Sequence, residues 1–450
     1  MAIITTKKEE TGYEIFKQKK KNTELFERRK RLVPNALSIF TPSTVSKASG
    51  AIVTDVDGNE LIDFTGGIGV LNAGHCPPTV VKAIQEQAEK FIHTCFGVAA
   101  YDLYLDLAER LISLFPHGES TKVMLTGSGA ESVENAIKIA RQATGKPAII
   151  CYTGAFHGRT LMATTLTSKV GYKMGCGPFA PEVYRIEFPD FSHDGNGLSE
   201  DEFADHHLKK LDEFFHYYVS EKNVAAIIIE CVQGEGGFKV VPKKYLQGLR
   251  KVCDANGIIL IIDEVQTGFG RTGTWASYQH FDVVPDLSTW AKSMASGMPI
   301  GAMMGKTSVI DSINPGTIGG TYLGNPVCCA AAIATLDLMK EIDINEKGKR
   351  VCEIVRNHFL EMKKKFPQHI SDVRGLGAMM AFEVSHKGNI QKPNGELTKQ
   401  ITQRCYDKGL IIISAGVNGN VIRVLSPLVI KENDLVRGLE IIEEVLNELI

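Results

Sequence analysis

Gly257-Ile258-Ile259-Leu260-Ile261-Ile262-Asp263-Glu264 is a run of five branched apolar side chains closed by an aspartate. A short continuous apolar run of this kind suits a strand covered on both faces, as in a parallel sheet between helices. A carboxylate at its end is costly unless it meets a cation. Further on, Thr289-Trp290-Ala291-Lys292-Ser293-Met294-Ala295-Ser296-Gly297-Met298-Pro299 puts a lysine at the end of a second apolar stretch, running into a loop of small residues. Asp263 and Lys292 are therefore expected at the ends of neighbouring buried strands.

Outward from this pair the same rhythm continues. Residues 122–126, 148–152 and 225–230 are apolar runs separated by amphipathic helical patterns. The alternation predicts an α/β fold with a large, mostly parallel sheet and helices on both faces, spanning residues 66–337. A smaller α+β domain is expected over 338–450, with a long helix, strands at 378–384, 410–414 and 421–425, and a closing amphipathic helix at 432–449. Residues 1–65 supply a charged helical segment ending near Pro34 and a hairpin around Asp57-Gly58-Asn59, and are expected to pack with the small domain. The polar stretch 190–205 reads as a surface loop. Its neighbouring histidines His193, His206 and His207 lack metal-ligand spacing and partners, so no metal site is expected.

Composition excludes several classes. With 450 residues, two domains are the default. A formal net charge of −2 gives no electrostatic case for nucleic acid or an anionic membrane as partner. The basic run from Lys17 and Lys19 to Arg28, Arg29 and Arg31 is broken by Glu24 and Glu27, and reads as a solvated helical face. Glu9, Glu10 and Glu14 argue against a transit peptide, and no apolar run is long enough to cross a bilayer. The ten cysteines form no Cys-x-x-Cys pair, which favours reduced thiols and a cytoplasmic location.

Four further segments carry chemistry. Thr126-Gly127-Ser128-Gly129-Ala130-Glu131 joins a strand to a helix, so that the N–H groups of Gly129 and Ala130 and the Ser128 hydroxyl face an anion at the positive helix end. On its own, a plain strand–helix connection explains these residues equally well. Ala155-Phe156-His157-Gly158-Arg159 follows another strand; Phe156 is placed to stack on a flat ring and Arg159 to bind a carboxylate, with core packing and a surface ion pair as the ordinary alternatives. Glu230-Cys231-Val232-Gln233-Gly234-Glu235 ends a third strand with two acids. Arg423, a charge inside the apolar strand Val421-Ile422-Arg423-Val424, needs a partner, and Glu235 is a candidate; a purely structural ion pair is the alternative.

A lysine and an aspartate so placed suit pyridoxal 5'-phosphate. The lysine forms a Schiff base with the aldehyde, and the carboxylate keeps the pyridine nitrogen protonated. In the run Asp263-Glu264-Val265-Gln266-Thr267-Gly268-Phe269-Gly270-Arg271-Thr272-Gly273, Val265 would press on the ring face opposite Phe156, and Gln266 would reach the phenolic oxygen.

Together with Gly319-Gly320-Thr321-Tyr322-Leu323-Gly324-Asn325-Pro326, these segments resemble the class III (subgroup II) aminotransferases of fold type I, most of all those acting on 4-aminobutyrate. The resemblance covers nearly the whole chain. It implies that Lys292 and Asp263 are catalytic. It also implies a cofactor set of Ser128, Gly129, Ala130, Phe156, His157, Glu230, Asp263, Val265, Gln266, Lys292 and Thr321, with Thr321 reaching the phosphate of the neighbouring subunit in a homodimer. Ile68, Arg159, Glu235 and Arg423 are implied for the substrate: an ω-amino acid as donor and 2-oxoglutarate as acceptor, Glu235 releasing Arg423 only for the latter. An amino-acid racemase or epimerase of the same family is the rival expectation, and 5-aminovalerate, acetylornithine and other amines are alternative donors. Cys231 stands where a proline is usual, and 415–419 departs from the typical loop; both bear on chain-length preference.

Overall fold

The structure, a computed structural model, describes residues 20–450. Its central element is a seven-stranded sheet in the order Thr121–Thr126, Gly301–Lys306, Leu287–Trp290, Ile259–Asp263, Val224–Ile229, Ala148–Tyr152, Val183–Ile186. Only Gly301–Lys306 runs against the rest. The strand Ile259–Asp263 sits in the middle, and Leu260, Ile261 and Ile262 are fully buried. Alternate residues serve the two faces. Leu260 and Ile262 join one apolar core, while Ile261 joins the other with Val133, Ala136, Ile137 and Ala140 of the helix Gly129–Thr144. Burying each such side chain contributes about 1.5–3 kcal/mol, and a sheet covered on both faces explains why the strands read as unbroken apolar runs.

Two four-stranded sheets and a short two-stranded one, Val232–Gln233 with Lys239–Val240, complete the architecture among the described residues. The hairpin of Ile52–Thr54 and Glu60–Asp63 is joined by Leu410–Ile411, which runs parallel to Glu60–Asp63 and so ties the N-terminal part of the chain to the C-terminal part. The other four-stranded sheet has the order Ile370–Leu376, Met379–Val384, Val421–Val424, Ile413–Ala415. Residues 410–414, expected as one strand, are therefore divided between two sheets, the chain crossing over at the buried Ile412. The closing helix is Glu432–Leu449, as the periodicity requires.

The stretch 190–205 is not a simple surface loop. It holds a helical turn, Phe191–Asp194, and the start of the helix Glu200–Tyr217. Ser199 and Glu202 form a reciprocal capping box at that start, a signal present in the sequence as Ser199-Glu200-Asp201-Glu202. Nor is His193 without partners: it bonds Asp190 at 2.7 Å and Glu383 at 3.1 Å, and Lys239 reaches Asp190 at 2.6 Å. The first described helix, Lys20–Leu32, is almost wholly exposed apart from Asn22, as expected for a solvated face. Lys17, Lys19 and the acids Glu9, Glu10 and Glu14 lie outside the described residues. Among the described residues no helix is long and apolar enough to cross a membrane.

Candidate active site

Ligands of open parallel sheets bind beyond the carboxyl ends of the strands, and here five such ends converge on one cavity of about 330 Å3. Asp263, the last residue of its strand, is in register with Thr289 on the next. Its Oδ1 accepts from Thr289 Oγ1 at 3.0 Å and from the Val265 N–H at 3.1 Å. Its Oδ2 lies 2.7 Å from His157 Nδ1, and both side chains are buried. Burial works against an imidazolium there, but the Asp263 hydrogen bond and charge outweigh it and raise His157 above the usual histidine range. The other ring nitrogen, Nε2, has no hydrogen-bond partner.

Lys292 follows Trp290 by two residues and opens a short 3-10 turn, Lys292–Ala295. Its φ of +47° is left-handed, a region in which a long side chain is held only by its surroundings. The Ser293 hydroxyl supplies part of that hold by donating to the Gly69 carbonyl at 3.0 Å. Burial pulls the Lys292 ammonium below the usual lysine range, against the opposing charges of Asp263, Glu235 and Glu230.

The cavity wall brings together Ser128, Gly129, Ala130, Phe156, His157, Glu230, Glu235, Val265, Gln266 and Lys292. Ser128 caps the helix Gly129–Thr144, accepting from the Glu131 N–H at 3.2 Å. The first-turn N–H groups of a helix have no partner within it, so Gly129 and Ala130 present a site for an anion. A Cβ on Gly129 would stand 2.9 Å from both methyl groups of Val265, so glycine is required where that helix meets Val265. Gln266 is buried and its Oε1 has no partner. Glu230 turns its two oxygens to the N–H groups of Phe156 (2.9 Å) and Gly234 (3.0 Å), and so fixes both flanking loops. Burial, helped by Asp263 and opposed by His157, pushes its carboxyl up to about 7.

Glu235 and Arg423 are paired at 2.7 Å, with Arg423 only 2% exposed. Arg423 also donates to the Gly234 carbonyl at 2.9 Å. Burial raises the Glu235 carboxyl, but Arg423 wins and holds it below the ordinary value. Of the expected residues, Asp263 and Arg423 stand behind the cavity wall, held to its lining residues His157 and Glu235, and three others do not line it. Arg159 is exposed, its guanidinium 4.3 Å over the Tyr172 ring. Ile68 is half-buried in the turn Gly66–Gly69 with φ +67° and ψ +49°, a rare backbone for a β-branched residue. Thr321 is exposed beside a separate depression lined by Phe96, Tyr104 and Met124. Conversely, Val70, Thr289 and Tyr172 belong to the site and were not anticipated. Nothing in their local sequence marks them: Thr289 is found through strand register, Tyr172 only through a contact with Glu235.

Asp263 is buried and Lys292 half-buried at the carboxyl ends of adjacent strands, the placement expected of a fold-type I transferase that uses pyridoxal phosphate. Residues 35–446 match the family model of the class-III aminotransferases, and the chain belongs to that family. It is 42% identical over 418 residues, covering 93% of this chain and 96% of the relative, to a probable 4-aminobutyrate aminotransferase of Bacillus subtilis. It is 44% identical over 431 residues, 96% of this chain and 99% of the relative, to a 5-aminovalerate aminotransferase of Pseudomonas putida. Among solved structures, the taurine:2-oxoglutarate aminotransferase of Bifidobacterium kashiwanohense, in complex with pyridoxal phosphate and glutamate, superposes with a TM-score of 0.88 at 27% identity, covering 95% of this chain and 98% of that one.

Proposed function

We propose that the protein uses pyridoxal 5'-phosphate to move the amino group of an ω-amino acid, 4-aminobutyrate or a near homologue such as 5-aminovalerate, to 2-oxoglutarate. The Glu235–Arg423 pair beside Lys292 is the observation that carries the substrate reading. An ω-amino acid has no carboxylate at its reacting carbon, so Arg423 can stay neutralised by Glu235. A 2-oxo diacid has one, and Arg423 must then be released to bind it while Arg159 holds the distal carboxylate. One pocket thereby takes two partners of different shape. The names of the relatives support the same donor class.

The residues present fit the cofactor. The helix end at Gly129 and Ala130, with the Ser128 hydroxyl, suits its phosphate; Phe156 and Val265 would flank its ring; Gln266, with an unpaired amide oxygen and so an adaptable amide, would meet its phenolic oxygen. When bound, pyridoxal phosphate supplies an aldehyde that captures amines and a ring that accepts electrons from the carbon bearing nitrogen. Asp263, oriented by His157 and Thr289, holds a proton at the ring nitrogen. Lys292 anchors the cofactor and then carries the proton between carbons; its lowered basicity makes the neutral amine needed for that task available. Glu230 holds the backbone under Phe156 and Glu235 rather than any reacting atom. We assign Thr321 to the neighbouring active site of a homodimer, consistent with its exposure away from its own Lys292, and Ile68 to the substrate entrance.

The donor half-reaction is the test. Mixing the pyridoxal phosphate-loaded protein with 4-aminobutyrate alone should bleach the aldehyde form of the cofactor and release one equivalent of semialdehyde. A spectrum unchanged by 4-aminobutyrate and by 5-aminovalerate would remove the ω-amino acid assignment.

A further inference from the structure

Tyr172 stands where the groups assigned to substrate selection meet, and the chemistry above makes no use of it. It ends the 3-10 turn Val170–Tyr172, which follows the helix Leu161–Leu166. Its hydroxyl donates to Glu235 Oε2 at 3.1 Å, while Arg423 takes Oε1 at 2.7 Å. The face of its ring carries the Arg159 guanidinium at 4.3 Å, and it meets the Phe156 ring edge-to-face at 5.5 Å. Burial and the Glu235 charge push the phenol up to about 12, so the hydroxyl remains a donor throughout the working pH range.

The two oxygens of Glu235 are thus held by donors on separate elements, Arg423 from a strand of the small sheet and Tyr172 from a turn of the large-sheet region. Swinging the carboxylate away from Arg423 breaks both bonds. We propose that Tyr172 is a positioning residue that latches Glu235 onto Arg423 and so sets the balance between ω-amino donors and substrates carrying an α-carboxylate. This rests on the substrate reading above. Through its ring the same side chain also orients Arg159, so that one residue links the grip on the distal carboxylate to the gate on the proximal one.

Two unreactive acids separate these functions in the holoenzyme. Glutarate needs both Arg159 and a released Arg423; butyrate needs Arg159 alone. Tyr172→Phe keeps the ring, its contact with Phe156 and the Arg159 stack, and removes only the hydroxyl. Titrated by the cofactor's absorbance, Y172F should bind glutarate about three- to tenfold more tightly, the size expected of a half-exposed hydrogen bond to a charged group. Butyrate affinity should change by less than about twofold on the same grounds. In steady state, KM for 2-oxoglutarate should fall. A general disturbance of the site would weaken both acids together. Glu235→Ala is the control for the gate itself: it should tighten glutarate at least as much, and Y172F added to E235A should then do nothing further. If E235A tightens glutarate and Y172F does not, the latch is wrong and the gate stands. If E235A leaves glutarate unchanged, the gate fails and the latch with it. Weaker glutarate binding by Y172F would show that the hydroxyl favours the released state, which also overturns the proposal.

Discussion

His157 Nδ1 lies 2.7 Å from Asp263 Oδ2 with both side chains buried, and the second aspartate oxygen is held by Thr289 and the Val265 backbone. The carboxylate at the centre of the sheet therefore cannot turn without leaving a buried donor or acceptor unpaired. His157→Phe removes one of these holds, a hydrogen bond to a charged group worth about 1.5–3 kcal/mol, and frees the carboxylate to turn away from the ring nitrogen. We predict a tenfold to hundredfold weaker retention of pyridoxal phosphate, measured by equilibrium dialysis, with H157Q losing less because it keeps a donor. Equal retention by wild type and H157F would remove His157 from this role.

Lys292→Ala should leave the fold intact and lower turnover by at least about a thousandfold, since it deletes both the covalent anchor and the proton carrier. Circular dichroism should match wild type. Substantial remaining transamination would mean another group carries the proton.

Gly129→Ala places a methyl group 2.9 Å from both Val265 methyls, so one of the two must shift into the cavity. The variant should bind pyridoxal phosphate more weakly, and Val265→Ala in the same chain should recover part of the loss by making room. If G129A and the double variant retain the cofactor equally poorly, the clash is not the cause.

The pair of buried strand ends was legible because its signals are local. An apolar run of strand length, a terminal Asp263 and a lysine before small residues each have few explanations, and the helix start at Ser128 is marked by residues a few positions apart. The pairing of Arg423 with Glu235 was legible for another reason: a guanidinium inside an apolar strand demands a partner, and few acids sit at buried strand ends. What escaped notice depends on distant packing. Tyr172 reaches Glu235 from an irregular turn. His193, in a stretch that reads as a surface loop, joins Asp190 to Glu383 on a strand of the small sheet. The division of 410–414 between two sheets is invisible in a run whose apolar pattern is unbroken. The capping box at Ser199 and Glu202, by contrast, is a local signal carried by residues three positions apart.

That His193 network yields a pH dependence. Burial lowers His193, but Asp190 and Glu383 outweigh it and raise it to about 9; Glu383, which burial would raise, is held at about 2 by His193 and Arg374. A histidine raised on folding contributes fully below its unfolded value of about 6.5 and loses that contribution as pH climbs through 9. The carboxylate contributes above about 4.3 and loses its contribution as pH falls toward 2. The melting-temperature gap between wild type and His193→Asn should therefore be widest near pH 5–6 and narrow toward pH 9–10. A gap independent of pH would show that the ion pairs do not stabilise the fold.

The central claim is transfer of an amino group from an ω-amino acid to 2-oxoglutarate, and paired product analysis tests it most directly. The purified, pyridoxal phosphate-loaded protein is given 4-aminobutyrate and 2-oxoglutarate, and glutamate and succinate semialdehyde are quantified, with single L- and D-amino acids in parallel. The account predicts the two products in equal amounts and none when 2-oxoglutarate is left out beyond the first turnover. Inversion of an amino acid without any oxo acid, and no semialdehyde, would contradict it.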